Sequence, residues 1–569
     1  MLPVQEHSVD VLIIGGGLAA LRAAAAAREG GARVAVAVKG QLGKSGSSSM
    51  TSGGLAAVLP GLAEGDSPAA HALDTWTAGS GIGEPELIRL VCEGAAEEVE
   101  TLLARGGRFF REPDGKLFVE PSGEHAHPRV LVPAAHIGTD FTLPMSEHVR
   151  GAGAEVHEHT MCLELTGAEG QVNGALCLDL KGGGLVRFAA GAVILCTGGA
   201  GNLFSFTSNP RDVTGDGYAL AYQAGAELRD MEFIQFYPWR CIRPFDKARV
   251  SVQPSTFMVG GKLRNAKGER FMKRYDPERL DATTRDLAAR GIYDQIRSGL
   301  GVDGGVRLDL SEVSEDIFQR YNPKMWRAMT ARRLAYAEAS FIVAPEAHYF
   351  MGGVRIGADG QSTVSGLYAA GEAAGGIHGA NRANSNALPE ILVLAARAGR
   401  QAAVHALRHG SGASGQAFSG GLAEKLPAEL REAENGRAAA SEYRTKLQQL
   451  RERMDRSLGI IRSAAAMREG LAGLDAFQAD LAASTPASLP EVREWAELHM
   501  LAITGRLCLT AALAREESRG AHFREDFPDR SEEWEGTSLL LQKTGTGIRL
   551  GRKRTDPESA AFPGPAGRE

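Results

Sequence analysis

An α/β fold, Rossmann-like at its start, interrupted by an inserted α+β segment and followed by a helical domain, is what the sequence predicts. Three observations predict it. Residues 9–39 read VDVLIIGGGLAALRAAAAAREGGARVAVAVK: an apolar run, a glycine turn, an alanine-rich helix and a second apolar run. A second glycine-rich segment, Gly366 to Glu372 (GLYAAGE), lies far along the chain and closes the same kind of site. Composition changes twice, to charged, aromatic-containing segments with less glycine over 238–350, and to helical periodicity over 422–540.

Val11 to Ile14 is an apolar strand of the kind buried on both faces of a parallel sheet. Gly15 permits the tight turn, Gly17 lets a phosphate approach, and Ala20 allows close helix–strand packing. The helix that follows offers its first N–H groups to an anion, and Arg33 to Val38 returns as a strand. Glu155 to Leu165 and Gln171 to Leu180 read as a hairpin. Val193 to Cys196 is a strand ending in Thr197-Gly198-Gly199-Ala200-Gly201, and Asp216 stands at the start of a helix in TGDGYALAYQAGAEL. Leu367 to Ala370 returns to the first domain. Glu429 to Gly436, Glu442 to Leu458 and Leu489 to Arg519 read as helices. Beyond Lys543 the chain is basic and then rich in Pro and Gly, as in a mobile or partner-bound tail. The expected domains are 1–237 and 351–421 (one dinucleotide-binding domain in two parts), 238–350 (insert), 422–540 (helical) and 541–569 (tail). Two dinucleotide-type segments in one domain point to a flavin enzyme.

At 569 residues the chain is long enough for two or three domains. A net charge of −6 argues against a general nucleic-acid binder. The cysteines, Cys92, Cys162, Cys177, Cys196, Cys241 and Cys508, form no CxxC or other short ligand spacing. No iron–sulfur cluster, structural zinc or other metal is therefore expected within the chain, and a reducing compartment is. The first residues lack a basic segment followed by an apolar one, and apolar runs fall short of the ~20 residues that span a bilayer. The expectation is a cytoplasmic protein, peripheral at the inner face of a membrane only through a partner.

The chain resembles the flavoprotein subunits of the succinate dehydrogenase/fumarate reductase family, which includes L-aspartate oxidase. The resemblance rests on Gly15 to Ala20, Ser45-Gly46-Ser47 with Gly53-Gly54, Thr197 to Gly201, Gly215 to Gly217, MEFIQFYP (231–238), NAKGERFM (265–272), TTRD (283–286), HYFMGGV (348–354), GLYAAGE, HGANRANSN (378–386) and AREESRGAHFREDFP (514–528). It implies an FAD-binding domain interrupted by a capping domain and followed by a helical domain.

For the cofactor, the resemblance implies that the first glycine turn receives the FAD pyrophosphate and that Gly371 and Glu372 lie near the ribityl and phosphate portion. Ser45, Gly53, Gly54, Thr197, Gly198, Gly199 and Asp216 join that site. Lys39 stands where an acid commonly holds ribose. Some members attach FAD through a histidine, and Gly46 stands at that place, so the resemblance implies noncovalent FAD and a lowered flavin potential. Ser385 and Asn386 precede a helical run and are placed to cap it and bring backbone N–H groups near the flavin.

For the substrate, the resemblance implies hydride transfer between flavin N5 and a carbon–carbon bond beside a carboxylate. Arg285 matches the proton-transferring arginine, with Asp286 or Glu269 as its relay. Arg382 and His348 match carboxylate binders. Two departures bear on the substrate. Tyr237 replaces a histidine in QFYPW, with Trp239 beyond it as a flat apolar wall, and STFMVGGKLRN (255–265) lacks the acid of a Thr-Glu pair. A larger or less charged unsaturated acid thereby competes with fumarate or succinate. The implied partner is a separate iron–sulfur protein of the same complex. The alternatives are L-aspartate oxidase and a flavin electron-relay subunit with an altered substrate site.

Overall fold

The computed structural model describes residues 2–168, 170–245, 250–410, 415–418, 421–426 and 442–555. Its central sheet places Glu155–Glu158, Val34–Val38, Val4–Ile14 and Leu185–Leu195 side by side in parallel, with Leu367–Ala369 parallel to Leu185–Leu195. Val11 pairs with Val34 on one side and Ala192 on the other, so this strand is central and its apolar run is buried on both faces. Gln171–Asp179, Thr160–Ala168 and Gln416–Ala417 extend the sheet with antiparallel pairings. The hairpin expected from residue 155 therefore begins later. Residues 155–158 belong to the parallel edge, and His159, at φ +57°, turns the chain before the hairpin starts at Thr160.

Helices Leu18–Glu29 and Ala387–His409 pack together over this sheet. Gly399 lets them approach, because a Cβ there would come within 2.3 Å of the Ala23 carbonyl oxygen. Two long strands, Ile234–Arg243 and Phe341–Phe350, leave the FAD-type domain and enter the insert. There they pair with each other and continue through Val306–Asp309 to Lys262–Arg264. Trp239, Phe257, Met272, Ile292, Phe318 and Phe341 form this insert's own core.

Glu442–Ser457, Ala464–Ala483 and Leu489–Ala514 make the helical domain. Leu489–Ala514 ends five residues before the expected Arg519 and is long and apolar enough to cross a membrane by length and composition, yet 67% of its apolar window is buried in the protein. The tail expectation is also corrected. Thr537–Thr544 and Gly547–Arg554 form a hairpin whose first strand pairs with Leu228–Arg229. The expected helix at 429–436 and the chain after 555 lie outside the described residues. Arg515 binds Glu232 at 2.6 Å and Glu517 at 3.0 Å, while Arg519 reaches Glu517 at 2.9 Å and the Ser80 carbonyl at 3.0 Å. Within the AREESRGAHFREDFP segment, Arg515, Glu517 and Arg519 are thus buried ion-pair partners that tie the last domain to the first.

Candidate active site

A cleft of about 280 Å³ opens where the parallel strands end and the insert leans over them. Gly15, Gly16, Gly17, Lys39, Ser45, Gly46, Gly53, Gly54, Thr197, Gly198, Asp216, Gly371, Glu372 and Ser385 line one part of it. Tyr237, Arg285, His348 and Arg382 line the other. Three expected cofactor residues do not line it. Ala20, in the first turn of helix Leu18–Glu29, is fully buried, as close packing requires. Gly199 makes room for Glu372, whose Oε1 would lie 2.2 Å from an added Cβ. Asn386 points elsewhere: its amide donates to Thr75 Oγ1 at 2.7 Å and accepts from His71 Nε2 at 2.8 Å.

The cofactor part fits a dinucleotide. Gly15 has φ +128°, and a Cβ there would sit 2.1 Å from the Cys196 carbonyl, so only glycine allows the turn between the strands. Helix Leu18–Glu29 starts at Gly17, which has no side chain to cap it, and Ser48 Oγ accepts from the Leu18 N–H at 3.3 Å. The buried hydroxyls of Ser47 and Thr197 line the same cleft and make no hydrogen bond to protein. Segment 45–54 contains no histidine. Lys39 donates to Thr214 Oγ1 at 2.6 Å and pairs with Asp216 at 2.9 Å and Glu497 at 3.0 Å. Burial alone would push its ammonium down, but the two carboxylates outweigh that and hold it above the ordinary lysine value. Lys39 and Asp216 therefore neutralise one another. Glu497 comes from the helical domain, and nothing near Lys39 in sequence announces it.

Glu372 accepts from the Phe350 N–H at 3.0 Å, and burial pushes its carboxyl up to about 7. Ser385 and Asn386 do not cap the helix: no side-chain bond closes its first turn. Ser385, at φ +63°, accepts from the Gly54 N–H at 3.2 Å, which ties the helix start to the 53–54 glycine pair.

The second part of the cleft is cationic. Arg285 and Arg382 are each 4% exposed, and neither forms an ion pair among the described residues. Gln235 sits between them, and its Oε1 accepts from Arg285 Nη1 and Arg382 Nη2, both at 3.1 Å. Its amide donates to Asn381 Oδ1 at 2.8 Å and the Arg382 carbonyl at 2.9 Å. Arg285 Nη2 also donates to Asn384 Oδ1. The Arg382 guanidinium lies 4.6 Å from the Tyr349 ring centre, and burial, then the Arg285 charge, lowers it to about 10. His348 Nδ1 is 2.7 Å from Ser208 Oγ, and burial, Arg382 and Arg285 hold the ring neutral. In the tautomer whose Nδ1 accepts from Ser208, Nε2 carries the proton and can donate to a carboxylate.

Gln235, Ser208 and Asn384 were missed by sequence reasoning. Gln235 and Asn384 lay inside the quoted motifs without an assigned role. Three expectations, for Tyr237, Trp239 and Glu269, fail here. Tyr237, expected where a histidine would donate to substrate and able as a tyrosine to give one hydrogen bond there, instead donates its hydroxyl to the Val252 carbonyl at 2.6 Å and presents its ring to Arg285 (5.2 Å from the ring centre). Trp239 stacks on Phe257 at 4.6 Å inside the insert, because the strand pairing shifts register between Tyr237 and Arg240 and turns Arg240 to the cleft instead. Glu269 bonds Asn265 and Arg274 and does not line the cleft. Away from the cleft, His7, Glu155 and His157 bring three potential metal-ligand atoms within 4.8 Å, a grouping the sequence reading passed over.

Residues 10–388 match the family model described as FAD binding domain, and 447–565 match fumarate reductase flavoprotein C-term. The chain is 34% identical to a subunit of the fumarate reductase (CoM/CoB) of Methanothermobacter marburgensis, over 94% of this chain and 98% of that one. It is 34% identical to an L-aspartate oxidase of Streptomyces coelicolor, over 92% and 90%. The Mycobacterium smegmatis Sdh1 structure in complex with UQ1 superposes with a TM-score of 0.83 at 31% identity, over 97% and 95%. With the glycine cradle and the buried arginines, these matches place the chain in the succinate dehydrogenase/fumarate reductase flavoprotein family, as a noncovalent FAD-dependent oxidoreductase of that type acting on a carbon–carbon bond near a carboxylate.

Proposed function

We propose that the cleft binds a four-carbon or somewhat larger unsaturated carboxylic acid and adds hydrogen across its double bond, or removes it in reverse. The carrying observation is two enclosed guanidiniums with no carboxylate paired to either among the described residues. Buried unpaired cations are costly unless a ligand anion completes them. Arg382 grips a substrate carboxylate through two N–H groups, and neutral His348 adds a third donor. Arg285, fixed by Gln235 and Asn384, gives a proton to one carbon. A flavin held by the glycine cradle would, in its reduced form, supply the hydride for the other carbon. Tyr237, Tyr349 and the insert exclude water from the reacting bond.

Electrons reach or leave the flavin through a separate iron–sulfur protein. All six cysteines are buried and free, and Cys162 and Cys177 pair across neighbouring strands away from any short ligand spacing in sequence. Such a partner at the inner face of a membrane would make this chain a peripheral cytoplasmic component. The test is anaerobic mixing of reduced enzyme with fumarate and bulkier enoates, and of oxidised enzyme with succinate and L-aspartate. Flavin reoxidation by an enoate supports the reading, whereas flavin reduction by L-aspartate alone replaces it with an amino-acid oxidase. Copurification of an iron–sulfur protein tests the partner.

A further inference from the structure

Arg285 lines a second, smaller cavity that shares no other residue with the cleft. Its volume is about 10 Å³, the room that one ordered water needs. Four of its lining residues carry buried polar atoms that make no hydrogen bond to protein: Ser122 Oγ, Glu124 Oε1, Trp239 Nε1 and Arg285 Nε. Trp239 Nε1 and Arg285 Nε donate, the Ser122 hydroxyl does both, and Glu124 Oε1 accepts as a carboxylate and donates once protonated. Such a set matches the two to four polar partners that an internal water takes.

We propose that Glu124, acting through one water in this cavity, returns to Arg285 the proton that Arg285 gives to substrate. This rests on the reading of Arg285 as proton donor. Glu124 does not touch substrate. Its Oε2 accepts from the Asn384 N–H at 2.7 Å, and the Asn384 amide oxygen accepts from Arg285, so one residue fixes both ends of the path. The sequence around Pro254 and Met258, which lacks the acid of the family's Thr-Glu pair, forms another wall of the cavity. A carboxylate from the loop between Val119–Glu120 and Val130–Leu131 thus stands beside an acid-free stretch. Met258 is 44% exposed, so the cavity lies next to the surface.

The balance is one proton per turnover. Arg285 loses H⁺ to the substrate carbon, the water passes H⁺ to Arg285 and takes one from the Glu124 carboxyl, and solvent reprotonates Glu124. The charged groups acting on Glu124 are Arg285 and Arg382, which favour its carboxylate, and Asp286, which disfavours it. Burial is the largest influence and raises it above the ordinary glutamate value, so the acid form persists to higher pH. Asp286, one of the two relay candidates from the sequence, is a neighbour of this acid and does not line the cavity.

The test compares wild type, Glu124→Gln, Glu124→Asp and Arg285→Lys as FAD-loaded enzymes. Enoate reduction is measured against pH, and malonate binding is followed by flavin absorbance without turnover. Glu124→Gln should lower kcat at least tenfold, abolish the alkaline limb of the wild-type pH profile, and change the malonate Kd less than threefold. Glu124→Asp should retain a limb at a shifted pH. Should Glu124→Gln fail to hold FAD, the Asp variant decides: a shifted limb supports the relay and an unchanged profile overturns it. A Glu124→Gln enzyme within twofold of wild-type kcat, or one whose loss follows malonate affinity, also overturns it. Full turnover by Arg285→Lys sinks the reading of Arg285 itself, whatever Glu124 does.

Discussion

Replacing Gln235 with Leu should disable the site without removing either arginine. Gln235 is fully enclosed and makes four hydrogen bonds: two accepted from guanidiniums at 3.1 Å, and two donated at 2.8 and 2.9 Å. Leu fills similar space and satisfies none of them. Hydrogen bonds to charged groups are worth about 1.5–3 kcal/mol each. Part of that loss is recovered when the arginines swing to other partners, and the swing is what harms catalysis. Loss of about 3 kcal/mol of transition-state stabilisation corresponds to roughly two orders of magnitude in kcat/KM. The assay is steady-state enoate reduction with the flavin content of each preparation measured alongside. An FAD-loaded Gln235→Leu enzyme within threefold of wild type would refute the claim that Gln235 holds the two cations in register.

Gly15→Ala should yield protein without bound FAD, since its Cβ would meet the Cys196 carbonyl at 2.1 Å and the φ of +128° disfavours any side chain; flavin absorbance after purification checks it. Glu517→Gln should destabilise by about 3–5 kcal/mol, because Arg515 and Arg519 share that buried carboxylate, and a thermal melt of the holoprotein reads the loss. Acid should destabilise the fold early. Burial holds His71 at about 3 and His125 and His499 at about 4, below their unfolded values near 6.5. The unfolded chain therefore binds these protons first, so stability is full above about 6.5 and falls as pH drops toward 4. A melt at pH 5 that equals the one at pH 7 would contradict this.

What could be read from the sequence is what depends on neighbours along the chain. The Gly15 turn, the strand before it and the helix after it are local, and their geometry follows from residue types. Arg285, His348 and Arg382 were singled out by the resemblance of their segments to the family, not by local physics, and the fold brings all three to one cleft. The residues that fix them were not legible, because Gln235 and Arg382 are 147 positions apart and Ser208 and His348 are 140. Lys39 looked like an altered ribose contact until Glu497 arrived from another domain. Trp239 was misplaced because strand alternation cannot foresee the register shift beside it. The basic stretch at 547–554 read as tail because its partner, 537–544, is itself anchored by Leu228–Arg229, some 310 residues away.

Malonate titration of the FAD-loaded protein, wild type against Arg382→Met, tests the anion site most directly. A saturable change in flavin absorbance for wild type, weakened at least a hundredfold in the variant, is the predicted result. Equal affinity in both proteins, with FAD retained, would contradict it.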